Sequence, residues 1–225
     1  MRTIGVLGGM TWHSSIEYYR QINQLANEQA GGTHAARCVL FSVDMGAMDE
    51  LMAAGRWDEA GSLLAADAAA VERAGADVFI LGCNSMHHVW DAIVAPLTIP
   101  TIHIGDATGD ALVGHSRVLL LGTRFTMEFP WLRSKLEERG ISVVVPDEPD
   151  RIELNRTVFE EFSHGVFSDA TRSYYVDLIS QFDVDAVVLA CTEIGMLLRP
   201  GDVAVPLVDT LAAHSRAVVD YAYDA

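Results

Sequence analysis

The sequence predicts an α/β fold built from two related lobes. Short apolar runs rich in β-branched residues alternate with longer segments of helical pattern, which is typical of βαβ units and a mainly parallel sheet. A stretch of the first half also recurs in the second half, around cysteines at positions 83 and 191, 108 residues apart. With 225 residues, half of them hydrophobic, the chain is long enough to bury a substantial core.

The predicted strands are the short apolar runs, and glycine, proline or polar residues bound most of them. In chain order they are Thr3–Leu7, Arg37–Val43, Asp77–Leu81, Thr101–Ile104, Arg117–Leu121, Ser142–Val145, Ala186–Ala190 and Ala204–Val208. Helical spacing and capping residues predict the helices between them. These begin at Ser14 or Ser15 and run towards Asn27, and then cover Asp58–Arg73, Phe129–Arg139, Ile152–Ser163, Ala170–Gln181 and Thr210–Tyr221.

The internal repeat predicts the domain organisation. Residues 76–84, an apolar strand that ends in Gly-Cys-Asn, match residues 184–192, which end in Ala-Cys-Thr. In both copies an Ile-Pro or Val-Pro pair follows downstream. We therefore expect one lobe from residues 1–104 with the C-terminal helix in 207–225, and a second lobe from residues 105–206.

Composition excludes several classes of function. The net charge of −16 opposes binding to a phosphate backbone, so no nucleic-acid partner is expected. No apolar run approaches the roughly 20 residues of a membrane span, and no membrane association is expected. Three cysteines without a Cys-x-x-Cys pair suit a reducing compartment, which predicts a cytoplasmic protein with free thiols.

The repeated cysteines are the candidate catalytic residues. Ligands of open parallel sheets bind beyond the carboxyl ends of the strands, so two such lobes would present Cys83 and Cys191 to a shared cleft from opposite sides. A cysteine at a helix N-terminus favours the thiolate, and two such groups can carry a proton across a stereocentre. A single strand-end cysteine is commonly a small buried hydrophobe, and Cys38, within a strand and without a counterpart, is interpreted as core.

Polar residues next to the cysteines are candidates for binding the substrate. A carbanion at the α-carbon needs hydrogen-bond donors aimed at the carboxylate where charge accumulates. Asn84 and Ser85 follow Cys83, Thr192 follows Cys191, and Thr123 follows the matching strand. Each of them can instead cap a helix. Glu193 either holds the substrate ammonium group, orients Thr192, or acts as a first-turn helix acid.

Other features around the predicted cleft have competing interpretations. Gly8-Gly9-Met10 forms a glycine turn that brings backbone N–H groups close to an anion, but it lacks the spacing of a dinucleotide or triphosphate motif. His87 and His88 are adjacent on a helix and have no counterpart after Cys191, so no metal is expected. The Met-rich segment 44–57 is either a lid over the cleft or part of the core.

The motifs together resemble the aspartate/glutamate racemase family, whose members work without pyridoxal phosphate. The resemblance spans the whole chain and includes Gly82-Cys83-Asn84-Ser85-Met86-His87 and Ala190-Cys191-Thr192-Glu193-Ile194, with further likeness in residues 121–127 and 155–165. It implies two pseudo-symmetric Rossmann-like, or flavodoxin-like, lobes with an active site in the cleft between them. It also implies one cysteine from each lobe, no cofactor, usually a homodimer, and Met10 and Met86 among the substrate-binding residues.

Two departures from the family pattern concern the substrate. Aspartate-specific members typically carry an Arg after the second strand and a Lys before a helix-ending glycine. Here residues 44–51 contain no Arg, and His164 stands before Gly165, which makes His164 a further candidate for substrate binding. Glutamate, a neutral amino acid or a broader range is therefore favoured over aspartate alone.

Two alternatives remain open from the sequence. One is a related superfamily isomerase, a maleate isomerase or a hydantoin racemase, whereas an arylmalonate decarboxylase needs only one thiol. The other is a binding protein that has kept the lobes but lost catalysis. Such a protein would bind a small molecule but would introduce no deuterium at the α-position in heavy water.

Overall fold

The computed structural model describes residues 1–224 and has the predicted α/β architecture with parallel sheets. Its contacts divide the chain into two compact units. The first contains residues 1–104 and the chain from His214 onward, and the second contains Gly105–Ala213. Residues 207–213 were expected in the first lobe, but they belong to the second unit, because strand β7 in this segment pairs with β6.

The first unit is built on a three-stranded parallel sheet in the order β2-β1-β3. Its strands are β1 (Ile4–Gly8), β2 (Cys38–Ser42) and β3 (Val78–Leu81). Its helices are α1 (Trp12–Ala30), α2 (Met45–Ala53), α3 (Trp57–Arg73) and α4 (Trp90–Val94), together with a 3₁₀ helix at Ser85–Val89. Thr101 adds one parallel bridge to Phe79 of β3.

The second unit has a four-stranded parallel sheet in the order β5-β4-β6-β7. Its strands are β4 (Arg117–Gly122), β5 (Ser142–Val144), β6 (Ala186–Ala190) and β7 (Leu207–Asp209). Helix α5 (Ile104–Ala111) leads into this unit. Its further helices are α6 (Arg124–Glu128), α7 (Pro130–Glu137), α8 (Glu148–Glu160), α9 (Asp169–Ile179) and α10 (Thr192–Leu197), with a 3₁₀ helix at Phe162–His164. Helix α11 (Thr210–Tyr223) begins in this unit and belongs to the first unit from His214 onward.

The two sheets repeat one topology, as the internal repeat predicts. The outer strands β2 and β5 flank β1 and β4, which pair in turn with the cysteine strands β3 and β6. On the far side, Phe79 donates its N–H to the Pro100 carbonyl at 2.9 Å, and Val187 donates to the Pro206 carbonyl at 2.9 Å. The central strands β1, β3 and β6 are buried throughout, which explains their unbroken apolar sequences.

The structure corrects or completes the predictions for three segments. The strand predicted at Thr101–Ile104 is reduced to the single bridge at Thr101, because helix α5 already begins at Ile104. The segment 44–57 contains helix α2, which Asp44 caps by accepting a hydrogen bond from the Gly46 N–H at 3.1 Å. Helix α1 begins at Trp12 with Thr11 as its cap, so the predicted start at Ser14 or Ser15 was late.

Candidate functional site

The first group of candidate residues lies at the carboxyl edge of the β2-β1-β3 sheet. Strands β1 and β3 are neighbours in parallel register, with Leu7 paired to Leu81. The segments that follow them, which include Met10 and Cys83 to Met86, therefore leave the sheet at the same edge. We call Met10 and residues 83–86 the Cys83 edge.

A glycine turn shapes the approach to this edge. Gly9 has a φ of 98°, a conformation that favours glycine. A Cβ at Gly9 would also lie 2.3 Å from the backbone oxygen of Val43, so no larger residue fits. The Gly9 N–H donates to the Ser15 hydroxyl at 2.7 Å, which ties the turn to the first turns of helix α1.

Burial differs among the residues of the Cys83 edge. Met10, Asn84 and Ser85 are buried, and Met86 is fully buried in the core. Cys83 itself is only partly buried. Of these five residues, Cys83 is therefore the one whose side chain has the most access to solvent.

The second group of candidates lies at the corresponding edge of the other sheet. Gly122 of β4 pairs with Ala190 of β6, so the residues that follow, Thr123 and Cys191, leave adjacent strands side by side. Thr192 and Glu193 form the first turn of helix α10. We call Thr123 and residues 191–193 the Cys191 edge, and all four of its residues are buried.

The thiol of Cys191 has a carboxylate as hydrogen-bond acceptor. Cys191 is the N-cap of helix α10, with an extended backbone at φ −145° and ψ 127°. Its Sγ donates to Oε2 of Glu193 at 3.1 Å, and both side chains are buried. The contact favours the thiol form of Cys191, because a carboxylate only accepts and an adjacent negative charge disfavours a thiolate.

Thr123 has a second threonine as its partner. It caps helix α6, and its Oγ1 accepts from the Thr126 N–H at 3.3 Å and lies 3.2 Å from the Thr126 Oγ1. Thr126 is fully buried and was not among the predicted site residues. The Thr-x-x-Thr spacing immediately after a strand is the sequence signal that identifies this pair.

His164 is not buried with the residues of the Cys191 edge. It is exposed, ends the 3₁₀ helix Phe162–His164, and has its Nδ1 3.1 Å from the hydroxyl of Ser163. This 3₁₀ helix packs against helix α10, which follows Cys191. The structure therefore places His164 on an element that contacts α10, but not among the buried residues around the thiol.

Burial perturbs several titratable groups near the two edges. Burial, with smaller contributions from His103 and His214, holds the pKa of His87 well below its ordinary value. Burial is also the main reason why the pKa of Tyr175 is raised, and Cys191 acts in the same direction. At the opposite end of the first sheet, where Cys38 pairs with Ile4, burial raises the pKa of the Cys38 thiol and so disfavours its thiolate.

The described residues contain neither a cluster of metal ligands nor a membrane-spanning helix. Within residues 1–224, no three His, Cys, Asp or Glu side chains are grouped so that they could hold a metal ion. None of the helices in the same part of the chain combines the length and the apolar character needed to cross a bilayer.

Comparison with known proteins places the chain in a family. Residues 7–218 match the family model described as Asp/Glu/hydantoin racemase. The chain is 24% identical over 165 residues to the broad specificity amino-acid racemase RacX of Bacillus subtilis (strain 168), which covers 72% of each protein. The family model thus spans both cysteine edges.

Solved structures show the same fold over the full chain. A Yersinia pestis protein provisionally named an Asp/Glu racemase superposes with a TM-score of 0.90 at 41% identity, with 99% of each chain covered. An aspartate racemase homologue from Pyrococcus horikoshii OT3 superposes with a TM-score of 0.86 at 30% identity, with 100% of both chains covered.

Proposed function

Because the chain belongs to the Asp/Glu/hydantoin racemase family, we propose that it is an amino-acid racemase that moves the α-proton of its substrate between Cys83 and Cys191. The observation that carries this proposal is the repeated position of the two thiols. Each cysteine follows the strand that pairs with the first strand of its sheet, in two units of one topology. Burial alone gives no reason for such a match.

In the proposed inversion, one cysteine acts as the base and the other as the acid. One thiolate removes the α-proton from one face of the carbon, and the other thiol delivers a proton to the opposite face. The proton lost and the proton gained leave the substrate unchanged in composition. After turnover the protonation states of the two sulfurs are exchanged, which prepares the site for the reverse reaction.

The contact between Cys191 and Glu193 favours one resting arrangement. With the Cys191 proton held on sulfur by the Glu193 carboxylate, Cys191 is the resting acid and Cys83 the resting base. The partial exposure of Cys83 is consistent with a thiolate that must reach a substrate.

The substrate carboxylate needs donors where negative charge develops. We assign this role to the hydroxyl and amide groups of Asn84, Ser85, Thr123 and Thr192. Such donors stabilise the carbanion without an electron sink, so the proposed reaction uses no cofactor. Activity should accordingly survive treatment with metal chelators and with reagents that trap pyridoxal phosphate.

The proposed substrates are glutamate or a broader range of amino acids. The segment from Asp44 to Leu51, most of which forms helix α2, contains no Arg, and His164 is exposed. Neither position therefore supplies the Arg and Lys expected for a strict aspartate site. The name of the relative RacX, a broad specificity amino-acid racemase, supports the wider range.

A panel of single-enantiomer amino acids in heavy water tests the function. The expected result is inversion accompanied by one deuterium at the α-carbon, read by chiral chromatography and mass spectrometry. Cys83→Ser and Cys191→Ser should abolish inversion in both directions, while the matched control Cys38→Ser keeps most activity. Full activity of either site variant would rule out the two-thiol mechanism, and binding without deuterium uptake would indicate a binding protein.

Location and assembly remain proposals alongside the activity. Free thiols are maintained in a reducing compartment, so we propose a cytoplasmic enzyme. The family resemblance also leads us to propose a homodimer, which sedimentation of the purified chain at several concentrations tests directly.

A further inference from the structure

The ring of His87 hydrogen-bonds to the backbone of Cys83. His87 lies in the 3₁₀ helix Ser85–Val89, and its Nδ1 is 2.7 Å from the carbonyl oxygen of Cys83. On the other side of the ring, the Ile104 N–H donates to Nε2 at 3.4 Å. A backbone N–H can only donate, so Nε2 must be the unprotonated nitrogen. Nδ1 therefore carries the proton and donates it to the Cys83 carbonyl.

Packing holds this ring in place. His87 stacks on Trp90 with ring centroids 4.9 Å apart and an interplanar angle of 5°. The ring of His103 meets it edge-on at 4.6 Å. His87 is almost completely buried, so its orientation and its neutral form are set by the surrounding protein rather than by solvent.

The second cysteine has no equivalent histidine. A shift of 108 residues, from 83 to 191, matches His87 with Gly195 of helix α10. There a Cβ would lie 2.6 Å from Oδ2 of Asp209, so the space beside Gly195 is occupied by a different element. The side-chain contact at Cys191 comes instead from Glu193, to the sulfur itself.

We propose that His87 is a positioning residue for Cys83, which fixes the backbone at this cysteine and thereby the direction of its sulfur. The proposal rests on the proposed racemase function for its kinetic consequence. His87 acts through the Cys83 carbonyl and not on the substrate. Because His87 contacts the carbonyl of Cys83 and the equivalent position after Cys191 is Gly195, loss of His87 affects the proton transfer by Cys83 only.

A first experiment measures Cys83 without requiring turnover. In a Cys38→Ser background, iodoacetamide labels Cys83 and Cys191, and peptide mass spectrometry follows each rate. His87→Phe should change the labelling rate of Cys83 by about threefold or more, since rate follows thiolate fraction and access, and leave that of Cys191 unchanged. The matched control is His88→Phe at the exposed neighbouring position, which should change neither. Unchanged rates in His87→Phe, or equal changes at both cysteines, would overturn the proposal.

A second experiment uses turnover. His87→Phe should lower kcat by about 10- to 100-fold, the size expected for a misplaced reacting group, with little change in KM. The isotope effect of an α-deuterated substrate should rise for the enantiomer that Cys83 deprotonates. It should fall for the other enantiomer, because Cys83 then acts in the step that follows cleavage of the C–D bond. His87→Asn, which keeps an N–H near the position of Nδ1, should recover most of kcat.

The isotope effect separates positioning from simple loss of folded enzyme, because it does not depend on the amount of active protein. If each enantiomer shows the same isotope effect in His87→Phe as in the unaltered protein, the proposal is overturned. If the protein racemises no amino acid, the proposed function fails, and the labelling experiment still decides the role of His87.

Discussion

The Cys191 Sγ donates a hydrogen bond to Oε2 of Glu193 at 3.1 Å, and both groups are buried in the second unit. The contact joins residues two apart in the chain, a spacing that separates side chains on a regular helix. It forms because Cys191 is still extended while Glu193 already lies in the first turn of α10. This local geometry makes the two cysteines chemically different.

Glu193→Gln tests that difference. The substitution keeps the size of the side chain but removes the negative charge that disfavours a thiolate at Cys191. We expect faster alkylation of Cys191 in a Cys38→Ser, Cys83→Ser background, and a fall in kcat of about tenfold or more in the enzyme that retains Cys83. Glu137→Gln removes the same charge from an exposed helix position and serves as the control. Equal alkylation rates in the two variants would contradict the assignment.

Gly195→Ala tests how closely helix α10 packs beside the Cys191 edge. The new Cβ would lie 2.6 Å from Oδ2 of Asp209, a carboxylate that also accepts from the Leu211 N–H at 2.8 Å. We expect a loss of stability of about 1–3 kcal/mol, as for other overpacked sites, measured by urea unfolding. In helix α2, the same change at Gly46 meets only Asp44 Oδ1 at 3.5 Å and should be neutral or stabilising. A stable Gly195→Ala protein would mean that Asp209 can move aside.

The strand-end positions of the two cysteines can be predicted from the sequence because their setting is local. An apolar strand that ends in a small residue, Cys83 or Cys191, identifies a strand end without any knowledge of tertiary contacts. The positions of the residues that contact those cysteines depend on the local backbone conformation, which the sequence pattern does not reveal. Glu193 turns towards the sulfur because of the backbone conformation at Cys191, and His87 reaches the Cys83 carbonyl through a 3₁₀ turn. Neither conformation follows from hydrophobic periodicity.

The misassigned segments have similar causes. Residues 101–104 have the apolar, β-branched composition of a strand. Helix α5 begins at Ile104, however, so that only Thr101 forms a bridge, to Phe79. The methionines of segment 44–57 predict either a lid or core packing, and Asp44 caps helix α2 within this segment. Three of its residues, Met48, Leu51 and Met52, are buried, and whether the segment also acts as a lid stays a prediction.

The repeated aspartates Asp77 and Asp185 support a prediction on pH. Asp77 accepts from the Thr3 N–H at 2.7 Å, and Asp185 accepts from the Ser116 N–H at 2.8 Å. These backbone hydrogen bonds are the main reason why the pKa of each carboxyl group lies below its ordinary value of 3.8. A lowered pKa in the folded state adds stability above the ordinary value, and this contribution is lost as pH falls through the lowered one.

Asp77→Asn and Asp185→Asn should therefore lower the Tm at pH 7, and their deficit against the unaltered protein should shrink as the pH drops below about 3.8. Thermal unfolding followed by circular dichroism at a series of pH values measures both effects. Asp49→Asn, at an exposed position of helix α2, controls for the loss of one charge. If the difference in Tm stays constant with pH, the ionised form of the two carboxyl groups does not contribute to stability.

His214 supports a prediction of the opposite sign. It is fully buried in the first unit; its Nε2 donates to the Ile102 carbonyl at 2.8 Å, and its Nδ1 accepts from the Tyr18 hydroxyl at 3.0 Å. Burial lowers the pKa of His214 from 6.5 to about 4. Below pH 6.5 His214 is therefore protonated in the unfolded chain but stays neutral in the folded chain, so stability falls as the pH drops towards 4.

Between pH 7.5 and pH 5 the titration of His214 lowers the free energy of unfolding by about 2 kcal/mol, at 1.36 kcal/mol per pKa unit. His214→Gln removes the titration and should unfold in urea with a smaller drop between these two pH values, although it is less stable at pH 7.5 because Tyr18 loses its ring-nitrogen acceptor. His34→Gln, at an exposed position, should keep the full drop. If His214→Gln and His34→Gln lose the same stability on acidification, His214 does not contribute to the acid sensitivity of the fold.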